Sequence, residues 1–254
     1  MEPKKVDISA TIVLYKNDEK TLQHTVDCFL KTPLTKKLFL VDNSPTDILK
    51  KIANHKDVIY IFNDKNLGFG SGHNTIINQL ENLSNYHLIL NPDVSFSETV
   101  IPNLCTKLSA ERGVAMIAPK VVFSDGKHQY SCRKYPKPID LISRRLGIFK
   151  SRNHKKEYQE NDLSKPFYPE FISGCFMLFK TVDFVNLKGF DERYFLYLED
   201  VDICKKIDQN NSKKLFYPKE QITHIADFGS SKNLRLFFFH ISSAIKYFNK
   251  WGWW

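Results

Sequence analysis

The chain has 254 residues, with 37 Lys and Arg against 28 Asp and Glu, a net charge of +9, and 13% aromatic residues. That aromatic content excludes bulk disorder, and the length supports a core that needs no covalent staples. No run of about 18 apolar residues occurs and Met1–Asp7 has no apolar stretch, so neither a membrane-spanning helix nor a secretory signal is expected.

In chain order, Ile8–Leu14 reads as a strand, followed by a helix from Asp18 to Leu30 with Leu22, Val26, Phe29 and Leu30 on one face. Lys37–Val41 is a second strand, Asp47–Asn54 a short helix and Val58–Phe62 a third strand. Ser71–Leu83 is expected as one helix, His87–Leu90 as a strand, Ser97–Leu108 as a helix and Val114–Ala118 as a strand. This alternation predicts an α/β fold with a mostly parallel sheet flanked by helices. In such sheets ligands bind beyond the carboxyl ends of the strands. Here those ends carry Tyr15, Asp42-Asn43-Ser44, Asn63-Asp64 and Asn91-Pro92-Asp93. Turn chemistry alone accounts for any one of them. Four on one edge point to a ligand cleft.

The alternation breaks after Lys120. Residues 120–156 hold eleven Lys and Arg against two acids, Asp125 and Asp140, a balance of +9 that equals the whole chain's. Such a local excess suits an anionic partner, and a solvated loop explains it as well. Phe176–Phe179 and Lys214–Tyr217 read as strands, and Glu199-Asp200-Val201-Asp202 opens a helix to about Asp208. Acids there also suit the positive end of a helix dipole. The last 23 residues, 232–254, hold eight aromatics, four basic residues and no acid. Leu234, Phe237, Phe238, Ile241, Ile245 and Phe248 fall on one helical face, which fits either a bilayer interface or docking on the protein's own core. The five widely spaced cysteines, with no C-x-x-C, are expected as reduced thiols.

Several chemistries lack their signatures. Gly68-Phe69-Gly70-Ser71-Gly72 before a helix is neither G-x-G-x-x-G nor a P-loop, and glycines there are commonly turn punctuation. There is no G-x-S-x-G and no nucleic-acid motif, so no nucleic-acid partner is expected. Asp93, Glu199, Asp200 and Asp202 are oxygen donors suited to Mg²⁺ or Mn²⁺ on a diphosphate, or to a general base toward a hydroxyl. Each acid alone also fits a helix cap or a surface charge.

One ordered set of segments carries a resemblance. Thr11–Asn17, Val41-Asp42-Asn43-Ser44, Asn66–Gly70 with His73-Asn74, Leu90-Asn91-Pro92-Asp93, Ser173–Leu178, Gly189–Glu192, and Glu199–Asp202 followed by His224 together resemble the family 2 inverting glycosyltransferases of GT-A fold. They are most similar to the bacterial rhamnosyltransferase branch that builds O-antigen and related surface polysaccharides, as is Tyr130–Pro136 with Arg133. The resemblance implies a Rossmann-like GT-A domain over 1–231, with a nucleotide-binding half at about 1–119 and an acceptor-binding half at about 120–231. The amphipathic helix 232–254 would follow. It implies a nucleotide-sugar donor, dTDP-rhamnose first, and a polyprenyl-diphosphate-linked glycan acceptor. The chain would sit in the cytoplasm, peripherally on the inner membrane.

The resemblance also implies roles for single residues. Tyr15, Asp42 and Asn43 would hold base and ribose, Asn66 and Asn74 would line the donor site, and Arg133 would bind substrate. Asn91, Asp93 and His224 would hold a divalent metal, Mn or Mg. Asp200 would be the catalytic base with Glu199 beside it, and Gly174 would let the acceptor approach. One departure is that Asn91-Pro92-Asp93 stands where the motif is D-x-D, with one carboxylate fewer. A non-catalytic nucleotide-binding scaffold and a nucleotidyltransferase stay open as alternatives, since similar α/β domains serve both.

Overall fold

A computed structural model describes residues 5–140, 154–225 and 234–253. Arg144, Arg145, Lys150 and Arg152 of the basic stretch, and Lys232 and Trp254 of the last segment, lie outside the described residues. The strands are β1 (Val6–Leu14), β2 (Lys36–Asp42), β3 (Val58–Phe62), β4 (Ser84–Leu90), β5 (Val94–Ser95), β6 (Val114–Val122), β7 (Cys132–Arg133), β8 (Phe171–Ile172), β9 (Phe176–Lys180) and β10 (Lys213–His224). The helices are α1 (Glu19–Lys31), α2 (Phe69–Asn74), α3 (Ile77–Leu83), α4 (Val100–Ala110), α5 (Thr181–Asn186), α6 (Glu199–Gln209) and α7 (Leu234–Trp251), with a 3-10 segment at Ile48–Ala53.

The main sheet runs β3-β2-β1-β4-β9-β6-β10-β5. The pairs among β3, β2, β1 and β4 are parallel, as is β6 with β10. β9 is antiparallel to both its neighbours, and β5 to β10. The mostly parallel sheet expected from the alternation is therefore present, with β9 as its reversed member. Both faces are covered, which is why its strands read as continuous apolar runs. Ile8, Ala10, Ile12 and Leu14 pack with Leu22, Val26 and Phe29 of α1 and Leu104 and Leu108 of α4. On the other face Phe39, Val41, Ile89, Met177 and Phe179 pack with Val201, Cys204 and Ile207 of α6 and Tyr247 of α7.

Three elements differ from the sequence expectation. Ser71–Leu83 is two helices, α2 and α3, broken at Thr75-Ile76. The glycines ahead of the break serve close packing. Gly68 has φ +85°, and a Cβ there would fall 2.1 Å from the Phe195 carbonyl oxygen. A Cβ on Gly70 would meet Phe190 at 2.9 Å. β10 runs on to His224, past a register shift between Tyr217 and Gln221 that Pro218 occupies.

The third is α7, which is apolar on two faces. Ser243, Tyr247 and Phe248 are buried. Leu234, Phe238, Ile241 and Ile245, one stripe at helical spacing, are exposed by 43–73%. The docked side is pinned by polar contacts. Lys250 Nζ and Trp251 Nε1 each lie 2.7 Å from Asp202 Oδ1, and Asp202 is fully buried. Ser243 Oγ donates to the Leu196 carbonyl at 2.8 Å. Among the described residues no helix is long and apolar enough to cross a membrane. All five cysteines are buried and unpaired to one another, as reduced thiols require.

Candidate active site

The strand directions deliver the site. The carboxyl ends of the parallel strands share one sheet edge, and the reversed β9 begins where β4 ends, with Phe176 opposite Leu90. The Asn91 amide donates to the Cys175 carbonyl at 2.9 Å, so Asn91-Pro92-Asp93 and Ser173-Gly174-Cys175 meet there. β10 brings His224 opposite Val94, and the Ile225 amide donates to the Asp93 carbonyl at 3.0 Å. Buried Thr25 of α1 fixes the turn from below. Its hydroxyl donates to the Pro92 carbonyl at 2.9 Å and accepts from the Val94 amide at 3.2 Å. The small β7–β8 ribbon places Arg133 opposite Phe171, two residues before Ser173.

These segments enclose a cavity of about 400 Å³. Asn91, Arg133, Gly174, Glu199, Asp200 and His224 line it, six of the twelve residues that the sequence nominates. Glu199 and Asp200 open α6 after two consecutive residues in the left-handed region, Tyr197 (φ 72°) and Leu198 (φ 67°). Such backbone is costly and persists where packing over-determines it. Here Phe195–Phe239 and Tyr197–His240 ring contacts, at 4.5 and 5.2 Å, hold the loop against α7.

The two adjacent acids have unequal environments. Asp200 Oδ1 accepts from the Val201 amide at 2.8 Å and Oδ2 from the Gly174 amide at 3.2 Å. Glu199 is buried and its Oε2 has no hydrogen-bond partner. Burial, then the Asp200 charge, push the Glu199 carboxyl well above the usual carboxylate range. Burial raises Asp200 too, but the Val201 and Gly174 amides and the Arg133 charge oppose it. Burial thus works against charge on both acids, while the Val201 and Gly174 amides and the Arg133 charge favour it on Asp200. Gly174 has no side chain over Asp200; a Cβ there would lie 3.5 Å from Asp200 Cβ and 3.4 Å from the Phe69 ring.

Asp93 and His224 form an acid–imidazole pair, with Asp93 Oδ1 3.3 Å from His224 Nε2. Asp93 Oδ1 is buried without a hydrogen-bond partner. An orphaned carboxylate oxygen beside an imidazole is the donor chemistry of a divalent-cation site, so the residues present fit one. Asn91 Nδ2 lies 3.2 Å from the same imidazole nitrogen. Among the described residues no three His, Cys, Asp or Glu side chains gather at one point, which agrees with Asn91 in place of a first aspartate.

The donor-side residues are placed differently. Tyr15 is exposed at the end of β1. Asp42 is fully buried, its oxygens accepting from the Ser44 amide at 2.8 Å and the Tyr60 hydroxyl at 2.6 Å. Asn43 Nδ2 donates to the Gly68 carbonyl at 3.0 Å, and its Oδ1 accepts from Asn63 at 2.8 Å. Asn66 Oδ1 accepts from the Gly68 amide at 3.0 Å. Asn74 grips the Phe190 main chain, donating to its carbonyl at 2.8 Å and accepting from its amide at 2.9 Å. These four are tied to neighbouring loops and strands and do not line the cavity. Sequence reasoning missed Glu157, which pairs with Arg133 at 3.3 Å, and Gln129, 3.1 Å from His224. Both lie in 120–170, where no periodicity marks position.

Residues 10–184 match glycosyl transferase family 2. The chain is 26% identical to rhamnosyltransferase WbbL of Escherichia coli K12 over an alignment of 221 residues that covers 83% of this chain and 81% of that protein. It is 27% identical over 209 residues to an N-acetylglucosaminyl-diphospho-decaprenol L-rhamnosyltransferase of Mycobacterium tuberculosis, covering 77% of this chain and 68% of that one. Among solved structures it is similar to GalNAc-T7 with UDP, GalNAc and Mn²⁺, with a TM-score of 0.67 at 18% identity. That likeness covers 88% of this chain and 44% of the other. The fold is thus the GT-A type expected from the sequence.

Proposed function

The chain belongs to glycosyl transferase family 2, and on that premise we propose that it moves L-rhamnose from dTDP-rhamnose, with inversion, onto a hydroxyl of a lipid-linked glycan in bacterial surface polysaccharide synthesis. Enzyme class follows from the family; donor, acceptor and stereochemistry are the proposal. The observation that carries it is Asp200, held by the Val201 and Gly174 amides beside buried Glu199, in the cavity that His224 also lines. The names of the two relatives supply the sugar and the polyprenyl-diphosphate acceptor class.

In the reaction the acceptor oxygen attacks the anomeric carbon from the face opposite the diphosphate. The carbon–oxygen bond to the diphosphate breaks, and its electron pair leaves with the phosphate. The acceptor's proton passes to Asp200, whose two main-chain N–H donors hold it in position. Asp93 and His224, with Asn91 beside them, would hold a divalent ion, Mn or Mg, which when bound offsets charge on the leaving diphosphate. Tyr15 offers a ring to the base, Asp42, Asn43, Asn66 and Asn74 shape the donor rim, and Arg133 faces the acceptor. The nucleotide half is about 1–119 and the acceptor half about 120–231.

A lipid-linked acceptor calls for contact with the cytoplasmic face of the inner membrane. The outward stripe of α7, on a helix with no acid, supports that contact. Its docked side holds Leu196, a wall of the cavity.

The test is a thermal-shift screen followed by a transfer assay. dTDP-rhamnose should raise the melting temperature and be consumed with a polyprenyl-diphosphate-linked GlcNAc acceptor. Stabilisation by ATP and by no nucleotide sugar would overturn the reading. Phe238→Glu with Ile241→Glu should reduce flotation on anionic liposomes; unchanged flotation would remove the membrane contact from α7.

A further inference from the structure

Gln129 reaches the cleft on a hairpin hung from the end of β6. The turn is closed by the Phe123 amide on the Lys127 carbonyl at 2.8 Å, and the Gln129 amide donates to the Val121 carbonyl at 2.9 Å. His128 and Tyr130 stack at 4.8 Å on either side of it in sequence. β10 lies beside β6 with Thr223 opposite Val122, so His224 arrives at the same place. Gln129 Oε1 is then 3.1 Å from His224 Nδ1.

The other imidazole nitrogen has a different pair of neighbours. Asn91 Nδ2 lies 3.2 Å away, a contact that an unprotonated Nε2 would accept. The matching proton would sit on Nδ1, where the Gln129 oxygen can accept it. Asp93 Oδ1 is 3.3 Å from Nε2 and has no hydrogen-bond partner. In that tautomer the imidazole nitrogen and the carboxylate oxygen are two neighbouring acceptors, the donor set a cation takes.

We propose that Gln129 is a positioning residue: its side-chain carbonyl holds His224 as the Nδ1–H tautomer, so that Nε2 is presented bare on the Asp93 side. The consequence for metal affinity rests on the reading of Asp93 and His224 as ligands. The tautomer is a property of the protein alone. An outer partner of this kind fixes both tautomer and ring orientation, and its loss typically costs about 10–100-fold in metal affinity.

The experiment has two readouts on the full chain. The first is ¹⁵N NMR of histidine-labelled protein without metal, at a pH where imidazole is neutral, with His224 identified by loss of its signals in His224→Asn. Wild type and Gln129→Glu should show Nδ1 protonated, whereas Gln129→Leu and Gln129→Met should shift to Nε2–H. The second is Mn²⁺ titration followed by the free-ion EPR signal, with dTDP or UDP present. Gln129→Leu and Gln129→Met should bind about 10–100-fold more weakly, with Gln129→Glu close to wild type. An Nε2–H tautomer in wild type overturns the proposal. So does unchanged Mn²⁺ affinity in both apolar variants. Failure of wild type itself to bind Mn²⁺ overturns the metal reading alone, and the tautomer seen by NMR still decides the role of Gln129.

Discussion

The two rims of the cleft use the same residue types and wire them in opposite ways. On the donor rim the side chains of Asp42, Asn43, Asn66 and Asn74 are engaged by the chain's own amides, carbonyls and hydroxyls. On the reaction rim Asp93 Oδ1 and Glu199 Oε2 are buried and unmatched. Buried polar groups are usually matched, so these two exceptions, beside the cavity, are where an outside partner is expected. On the proposed reading the contrast separates residues that brace the cleft from residues that act in it.

The hardest test of that contrast is Asp200→Asn. It keeps the shape and removes the charge that two main-chain amides support. Transfer should fall by about 10²–10⁴-fold, while dTDP-rhamnose still raises the melting temperature. If Asp200→Asn keeps its rate and Glu199→Gln loses it, the base is Glu199. Next in size is Asp93→Ala, which should weaken Mn²⁺-dependent donor binding by about one to two orders of magnitude, read by EPR titration. Full transfer in excess EDTA would sever the metal from this rim.

Asn74→Ala asks the opposite question of the donor rim. It strands the Phe190 amide and carbonyl, so unfolding in urea should show a loss of roughly 1–3 kcal/mol with kcat little changed. A large fall in kcat at unchanged stability would move Asn74 from brace to active group. The smallest effect is on pH dependence. Glu199 in the fold holds its proton above the ordinary range, so the native state binds more protons than the unfolded chain in that window. The contribution of Glu199 to stability should therefore be full below the unfolded-state value near 4.5 and fall as pH rises toward the raised folded value. Glu199→Gln should flatten that decline in a melting series; an identical slope would put the raised group elsewhere.

Much of this was legible in the sequence, for reasons that differ by element. Parallel strands covered on both faces leave unbroken apolar runs, and β1 to β4 were read within a few residues for that cause. The shared edge of their ends followed from direction alone. The ordered motifs led to the cavity, because Asn91, Gly174, Asp200 and His224, all in or following short segments of fixed chemistry, line it. What stayed hidden depends on long-range contact. The break at Thr75-Ile76 coincides with Asn74 gripping Phe190, 116 positions away. Gln129 meets His224 across 95 positions, and no local pattern announces it. The two faces of α7 read as one because composition along a helix does not say which apolar side finds a partner.

Asp202 ties α7 to α6. Its carboxylate takes Tyr194, Lys250 and Trp251, and it sits three residues from Glu199 in the first turn of α6. Shortening the chain at Asn249 would leave a fully buried carboxylate with two of its three donors gone, at the foot of the helix that carries Asp200. Such a shortened protein, prepared to ask about lipid contact, would lose transfer toward a water-soluble acceptor as well. Affinity tags and end-labels therefore belong on the amino-terminal side, and surface substitutions along Leu234, Phe238, Ile241 and Ile245 are the cleaner probe of lipid contact.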